Sequence, residues 1–327
     1  MRNFEYYSPT TVENAVAALS DTAGTTELLM GGTDQLSLLK ERIAEPTRVV
    51  SLGRVAGLKG VMKAGSGVKI GSMTSLSSLA EDRNVAKAYP SLVQAIEGIS
   101  SPQHRAMSTV ASDLLQRPRC WYFRNGFGLL AKDDGGKALV PNGENQYHAI
   151  LGNKGPAYFV SASSLAPALI ALNAKATVEG PDGKREVAVA DLYRIPANDS
   201  ERETTLAPNE VLTGITLPGT KASNATYEVR QRSLFDWPLT TASVSLTIKG
   251  GKVSDAVVVM GHVAPTPWRS SEAENALKGK AISEDTAAAA GKAAVASATP
   301  LSKNKHKVTL ASVAVKRAIL RAAGKGA

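Results

Sequence analysis

The stretch LLMGGTDQL at 28–36 constrains this chain more than any other. An apolar run meets two glycines and then residues suited to opening a helix, so the segment predicts a strand, a tight turn and a helix. Glycines at such a turn let the backbone approach a ligand, and the new helix presents unpaired N–H groups that favour a phosphate. An ordinary strand-to-helix turn uses the same residues, and both readings stand at this point. The turn is not a P-loop, since GxxxxGK[ST] is absent. The dinucleotide fingerprint fails too: GxGxxG is missing, and Ser51 stands where an acidic residue should close the next strand.

Flanking patterns extend this into a compact βαβ unit. TTELLM (25–30) and RVVSL (48–52) are the strands, DQLSLLKERI (34–43) the helix between them, and a helix capped by Ser8 or Thr10 runs to Leu19. A strand at VKIGSMTS (68–75) leads to helices from Leu76 and over 89–99. Residues 117–160 are glycine-rich, without a sustained period, and read as a long ordered excursion of functional use. Regularity returns with a helix at 164–172, a hairpin across Pro181-Asp182-Gly183 and a strand at 210–218. From about 222 the pattern changes to strands folded about Gly250-Gly251, followed by three helices. With 327 residues and 43% apolar content, about two domains, or three, are expected, and the change of pattern near 222 divides the chain into 1–221 and 222–327.

Composition removes several function classes. A single cysteine, Cys120, excludes a disulfide framework, a CxxC redox pair and any all-cysteine metal or iron–sulfur site. The four histidines form no HExxH, which argues against a zinc hydrolase. No apolar run approaches the roughly 18 residues a membrane span needs. MRNFEYYSPT carries three aromatics and Glu5 where a signal peptide would be apolar, so no export address is expected. Of the 38 basic residues behind the net charge of +9, seven lie near the C-terminus, at Lys303, Lys305, Lys307, Lys316, Arg317, Arg321 and Lys325, most of them on one helix with a solvated face, and the others are spread along the chain. A basic scaffold or nucleic-acid adaptor is opposed by the 5% aromatic content and the dispersed charge.

Two further segments resemble ligand loops: STVASDLLQ (108–116), equally readable as a capped helix start, and GVKIGSMTSL (67–76), equally readable as a strand ending in a serine-rich turn. In order and spacing the three loops resemble the FAD-binding subunit of molybdenum-containing hydroxylases. That family includes xanthine dehydrogenase, carbon monoxide dehydrogenase and aldehyde oxidoreductases. Met30-Gly31-Gly32-Thr33-Asp34 matches its first flavin loop. Thr109-Val110-Ala111-Ser112-Asp113-Leu114 matches the second, with small residues in place of two glycines. SSLAPALIALNAKATVEGPDGKREV (163–187) and MGHVAPTPWRSSEAENALKGK (260–280) resemble two later motifs, so the resemblance spans the chain.

The resemblance implies an α+β fold: an FAD-binding domain of the vanillyl-alcohol-oxidase (PCMH) type in two subdomains, plus a smaller C-terminal α/β domain. It implies FAD as cofactor, with Leu28, Leu29, Met30, Gly31, Gly32, Thr33, Asp34, Gln35 and Leu36 wrapping the pyrophosphate. Thr109, Ala111, Ser112 and Asp113 would form a second wall, with Asp113 accepting from ribose or ribityl hydroxyls; Ser164 stands where relatives place an aspartate. Ile99 and Leu212 would pack near the flavin, or simply in the core. Glu228 replaces a lysine common in the family, and Arg230 or Arg232 is the candidate substitute beside the flavin. RCWYFR (119–124) opens an insert that carries a four-iron cluster in one branch, but with Cys120 alone no cluster is expected in this chain.

The function implied is electron transfer. A molybdopterin-binding large subunit would oxidise substrate, a small subunit with two-iron, two-sulfur clusters would carry electrons to the FAD, and an external acceptor would take them. No catalytic acid or base is then required here. The competing reading is a self-sufficient flavin oxidase on the same fold, with Tyr122, Tyr147 and His148 as the polar cluster. The expected compartment is the cytoplasm, or the periplasm by export with a signal-bearing partner.

Overall fold

A computed structural model describes residues 1–99, 101–232 and 236–325. The chain begins with β1 (Glu5–Tyr7), α1 (Val12–Ala17), β2 (Thr26–Leu29), α2 (Gln35–Lys40) and β3 (Arg48–Ser51). The three strands form a parallel sheet in the order β1-β3-β2, so α2 is the crossover helix that two adjacent parallel strands require. Thr11, not Ser8 or Thr10, caps α1: its hydroxyl accepts from the Asn14 N–H, because its extended backbone aims the side chain back at the first turn. Ala15, Val50, Leu52, Val55 and Leu58 close the small core under this sheet.

The next unit adds β4 (Val61–Ala64), β5 (Gly67–Gly71), α3 (Leu76–Glu81), α4 (Arg83–Ala88), α5 (Pro90–Glu97), α6 (Pro102–Met107) and α7 (Val110–Leu114). After the insert, with its single turn α8 (Trp121–Arg124), come α9 (Ala166–Ala171), β6 (Lys175–Gly180), β7 (Gly183–Ala188) and β8 (Val211–Leu217). The five strands form an antiparallel sheet in the order β4-β5-β8-β6-β7. Leu76, Leu79, Leu92, Ile96, Leu114 and Leu169 lay helices on one of its faces, burying the largest core. At about 25 cal/mol per Å² of apolar surface removed from water, such packing outweighs the weak helical tendency of these short segments.

The last unit holds β9 (Ser223–Val229), β10 (Thr240–Lys249), β11 (Lys252–Gly261), β12 (Trp268–Arg269), α10 (Ser271–Leu277), α11 (Glu284–Ala294) and α12 (His306–Ala322). Its strands pair antiparallel in the order β12-β11-β10-β9, and Gly250 and Gly251 adopt φ of 56° and 75° at the hairpin tip, where a side chain would be strained. Alanines 287, 290, 311, 314 and 318 let the helices pack closely on one another and on the sheet. Lys307 departs from the expected solvated face. It is buried at the start of α12, and its Nζ donates to the carbonyls of Tyr147, His148 and His262 at 3.0, 3.0 and 2.8 Å. Burial pulls its pKa down to about 7, yet three carbonyl acceptors match the three N–H groups of an ammonium. Among the described residues no helix is long and apolar enough to cross a membrane.

Candidate functional site

The turn after β2 is shaped by its neighbours as much as by any ligand. A Cβ on Gly31 would lie 2.0 Å from the Met107 carbonyl oxygen, so this glycine is required where the turn crosses the end of α6. Gly32 has φ of 74°, the left-handed region that glycine adopts without strain. The Ser108 hydroxyl donates to Thr33 Oγ1 at 2.9 Å and pins the turn to the second loop. Among the described residues, the N–H groups of Gly31, Gly32 and Thr33 reach no protein acceptor. Three adjacent free donors make an anion cradle.

The second loop is built oppositely. Thr109 Oγ1 accepts from the Ser112 N–H at 3.2 Å, and Ser112 Oγ accepts from the Thr109 N–H at 2.8 Å. The Val110 and Ala111 N–H groups donate to the Thr74 and Ser72 carbonyls at 3.1 and 3.0 Å. Every donor at the start of α7 is therefore used within the chain. Asp113 is likewise committed: Oδ1 accepts from the Ser163 hydroxyl at 2.6 Å and the Leu165 N–H at 3.0 Å, fixing the segment that leads into α9. Burial pushes its carboxyl up, against the Ser163 hydroxyl and the Leu165 and Ser164 N–H groups that hold it down.

Two clefts open on either side of these loops and share Asp34, Ser112 and Gln116. The first, of about 130 Å³, is lined by Leu28, Met30, Gly32, Gln35, Ala111 and Arg202 among others. The second, of about 280 Å³, is lined by Thr33, Ile99, Asp113, Arg119, Ser164 and Arg230 among others. Buried donors without partners among the described residues border both: Gln35 Nε2 in the first, and the Nε atoms of Arg119 and Arg230 in the second. An elongated site with unspent donors and the free turn fits an FAD, whose phosphates and flavin carbonyls are acceptors.

Several sequence candidates sit elsewhere. Leu36 points to solvent. Leu29 lines neither cleft, and Thr109 is buried in its capping bonds. Leu212 is fully buried in β8 within the largest core and lines neither cleft, which is the plain packing alternative. Asp34 lies at the junction of the clefts, but its carboxylate clamps the insert: Arg124 Nη2 lies at 2.8 Å, Arg119 Nη1 at 3.2 Å, and the Arg117 N–H donates at 2.8 Å. Glu228 pairs with Arg230 at 2.7 Å, and Arg230 rather than the exposed Arg232 faces the second cleft. Tyr122, Tyr147 and His148 line neither cleft: Tyr122 Oη accepts from the Glu144 N–H, Tyr147 donates to Gln231, and His148 contacts Cys120. Arg119, Gln116 and Trp237 were missed by sequence reasoning. The STVASDLLQ loop ends at Gln116 and the RCWYFR motif begins at Arg119, so two of them lay in segments already singled out; nothing in the sequence pointed to Trp237.

Comparison with known proteins agrees with this geometry. Residues 2–220 match the family model described as "FAD binding domain in molybdopterin dehydrogenase", and residues 225–322 match "CO dehydrogenase flavoprotein C-terminal domain". The carbon monoxide dehydrogenase medium chain of Hydrogenophaga pseudoflava is 28% identical, over 97% of this chain and 96% of its own. The aldehyde oxidoreductase FAD-binding subunit of Escherichia coli (strain K12) is 29% identical, over 95% of each chain. The solved structure of the H. pseudoflava carbon monoxide dehydrogenase lacking the Mo-pyranopterin moiety superposes with a TM-score of 0.77, covering 100% of this chain and 99% of that one. Quinoline 2-oxidoreductase from Pseudomonas putida 86, at 22% identity and a TM-score of 0.76, shares the fold. With loops, clefts and both matched segments in agreement, the chain belongs to the flavoprotein family of molybdopterin dehydrogenases and is an FAD-binding oxidoreductase subunit.

Proposed function

We propose that this chain is the electron-transfer subunit of a molybdenum hydroxylase, working with a molybdopterin-binding large subunit and an iron–sulfur small subunit. The names of its relatives as medium chains and FAD-binding subunits support that arrangement. Residues 1–221 form the flavin domain and 222–327 the C-terminal domain. The observation that carries the reading is the row of free N–H groups at Gly31, Gly32 and Thr33 between two clefts with unspent donors.

In this reading the Gly31–Thr33 turn holds the pyrophosphate and Gln35 donates beside it. Arg230 and Arg119 are paired with Glu228 and Asp34 but keep their Nε–H groups free beside the second cleft, where they can donate to the acceptor atoms of the ring edge. Ile99 and Ser164 complete its wall, while Asp113 positions the Ser163–Leu165 segment through its two hydrogen bonds. FAD bound there supplies a centre that takes up and releases electrons, delivered by iron–sulfur clusters and removed by an external acceptor. The chain's own task is to bind, orient and shield.

Gly32→Val tests the loop. Its Cβ would meet the Leu36 side chain at 3.2–3.3 Å, and its backbone would be forced off φ of 74°. The variant is expected to keep its circular dichroism spectrum and to lose bound flavin. A folded Gly32→Val chain with its full flavin content would overturn the loop assignment.

A further inference from the structure

Behind the wall of the second cleft lies a carboxylate that lines neither cleft. Glu228 stands on β9 with its side chain 18% exposed, and its Oε1 lies 2.7 Å from Nη2 of Arg230, which is 11% exposed. Strand β9 packs against α5, and a side chain on Gly98, which follows that helix, would collide with both carboxylate oxygens. Gly98 has φ of −57°, which any residue adopts, so no backbone demand explains a glycine there. It leaves room for the Glu228 carboxylate, and the next residue, Ile99, lines the cleft.

The charges around this cleft are balanced. Of the two guanidiniums in its lining, Arg119 is paired with Asp34 at 3.2 Å and Arg230 with Glu228. Asp236, also in the lining, is paired with Arg232 at 2.7 Å, and Asp113 is held by the Ser163 hydroxyl and the Leu165 N–H. Burial pushes the Glu228 carboxyl up, and the Arg230 and Arg321 charges hold it down. Little solvent screens a pair so enclosed, so its charges act on their surroundings more strongly than those of a surface pair.

We infer that Glu228 is a positioning residue that lowers the flavin's reduction potential: it holds Arg230 against the cleft and cancels the charge that Arg230 would otherwise present there. This rests on the reading above, in which the second cleft holds the flavin ring. Electrons added to the ring place negative charge in the cleft, and an unmatched guanidinium stabilises that charge more than one already paired. Glu228 therefore opposes reduction twice, through its own charge and through the cancelled charge of Arg230. The Arg230 Nε–H has no partner among the described residues and is left to donate, so holding the flavin does not depend on Glu228. A ring kept at low potential passes its electrons on readily.

Anaerobic reductive titration of the flavin-loaded full chain against a reference dye reads the potential directly. Glu228→Gln keeps the shape of the side chain and removes its charge. It should shift the equilibrium toward reduced flavin about tenfold, or about 30 mV for two electrons, at unchanged flavin content. Gly98→Ala leaves every charge in the chain and intrudes on the Glu228 carboxylate. It should shift the same equilibrium in the same direction about threefold, and it decides the matter if Glu228→Gln does not fold, as thermal melting reports. A merely structural ion pair would lower the melting temperature without moving the potential. Folded variants at the wild-type potential, a potential that falls, or flavin lost from folded Glu228→Gln each overturn the role of Glu228 and leave the FAD reading standing. A wild-type chain that takes up no flavin overturns both.

Discussion

Ser112 sits at the junction of the two clefts and turns its hydroxyl back onto the Thr109 N–H instead of leaving that donor to a ligand. The bond stabilises α7 by about 1 kcal/mol and removes one potential phosphate donor. Ser112→Gly should therefore tighten FAD binding about fivefold while lowering stability by about 1 kcal/mol, read by flavin titration and chemical denaturation. Unchanged affinity would show that the second loop does not face the pyrophosphate. Asp34 makes the opposite case. Its carboxylate is enclosed by Arg119 and Arg124, and Asp34→Asn leaves two half-buried cations short of a partner. The expected loss is about 3 kcal/mol, with the insert becoming sensitive to protease before the rest of the chain.

The insert is tied down by its neighbours at several points. Phe123, Leu129, Leu130 and Phe159 pack with Leu38 of α2 and form a core of their own. Asn145 donates to Ser302 and accepts from the Lys303 N–H, and Ile150 joins the core of the last unit. The insert therefore fastens the crossover helix of the first sheet to the helices at the far end of the chain. Acid should loosen this junction. Burial is the main cause that pulls His148 down to about 4 and His262 down to about 3, from about 6.5 in the unfolded chain. Between those values the unfolded chain binds protons that the folded chain does not, so stability rises with pH and is complete above about 6.5. At pH 5 the loss is about 2 kcal/mol per histidine. A melting temperature that falls steadily from pH 7 to 4, and falls less in His262→Asn, is the expected record; a flat profile would contradict the burial of these rings.

At the scale of the whole molecule, much of the element order was legible because strands and helices carry opposite periodicities in one chain. The apolar run at 28–30 and the helical spacing of Val12, Ala15, Val16 and Leu19 need no tertiary information to be read. β1 escaped notice because Glu5–Tyr7 is three exposed residues held by pairing to Arg48–Val50, a contact forty residues away. The candidate site was legible as three loops but not in its division of labour. The need for glycine at 31 comes from Met107, and the saturation of Thr109–Ser112 comes from Ser72 and Thr74, neither visible in local sequence. Lys307 looked like one more surface charge until three carbonyls from distant loops converged on it. The lone Cys120 sits beside His148, and metal analysis of the purified chain is expected to find no stoichiometric iron.

Everything proposed about electron transfer depends on the turn at 31–33 holding FAD. Flavin released from the purified full chain, identified by chromatography and counted against protein, tests this most directly. About one FAD per chain is expected, or saturable uptake of one FAD by a chain purified without it. A folded chain that carries no flavin and takes up none on titration would contradict it.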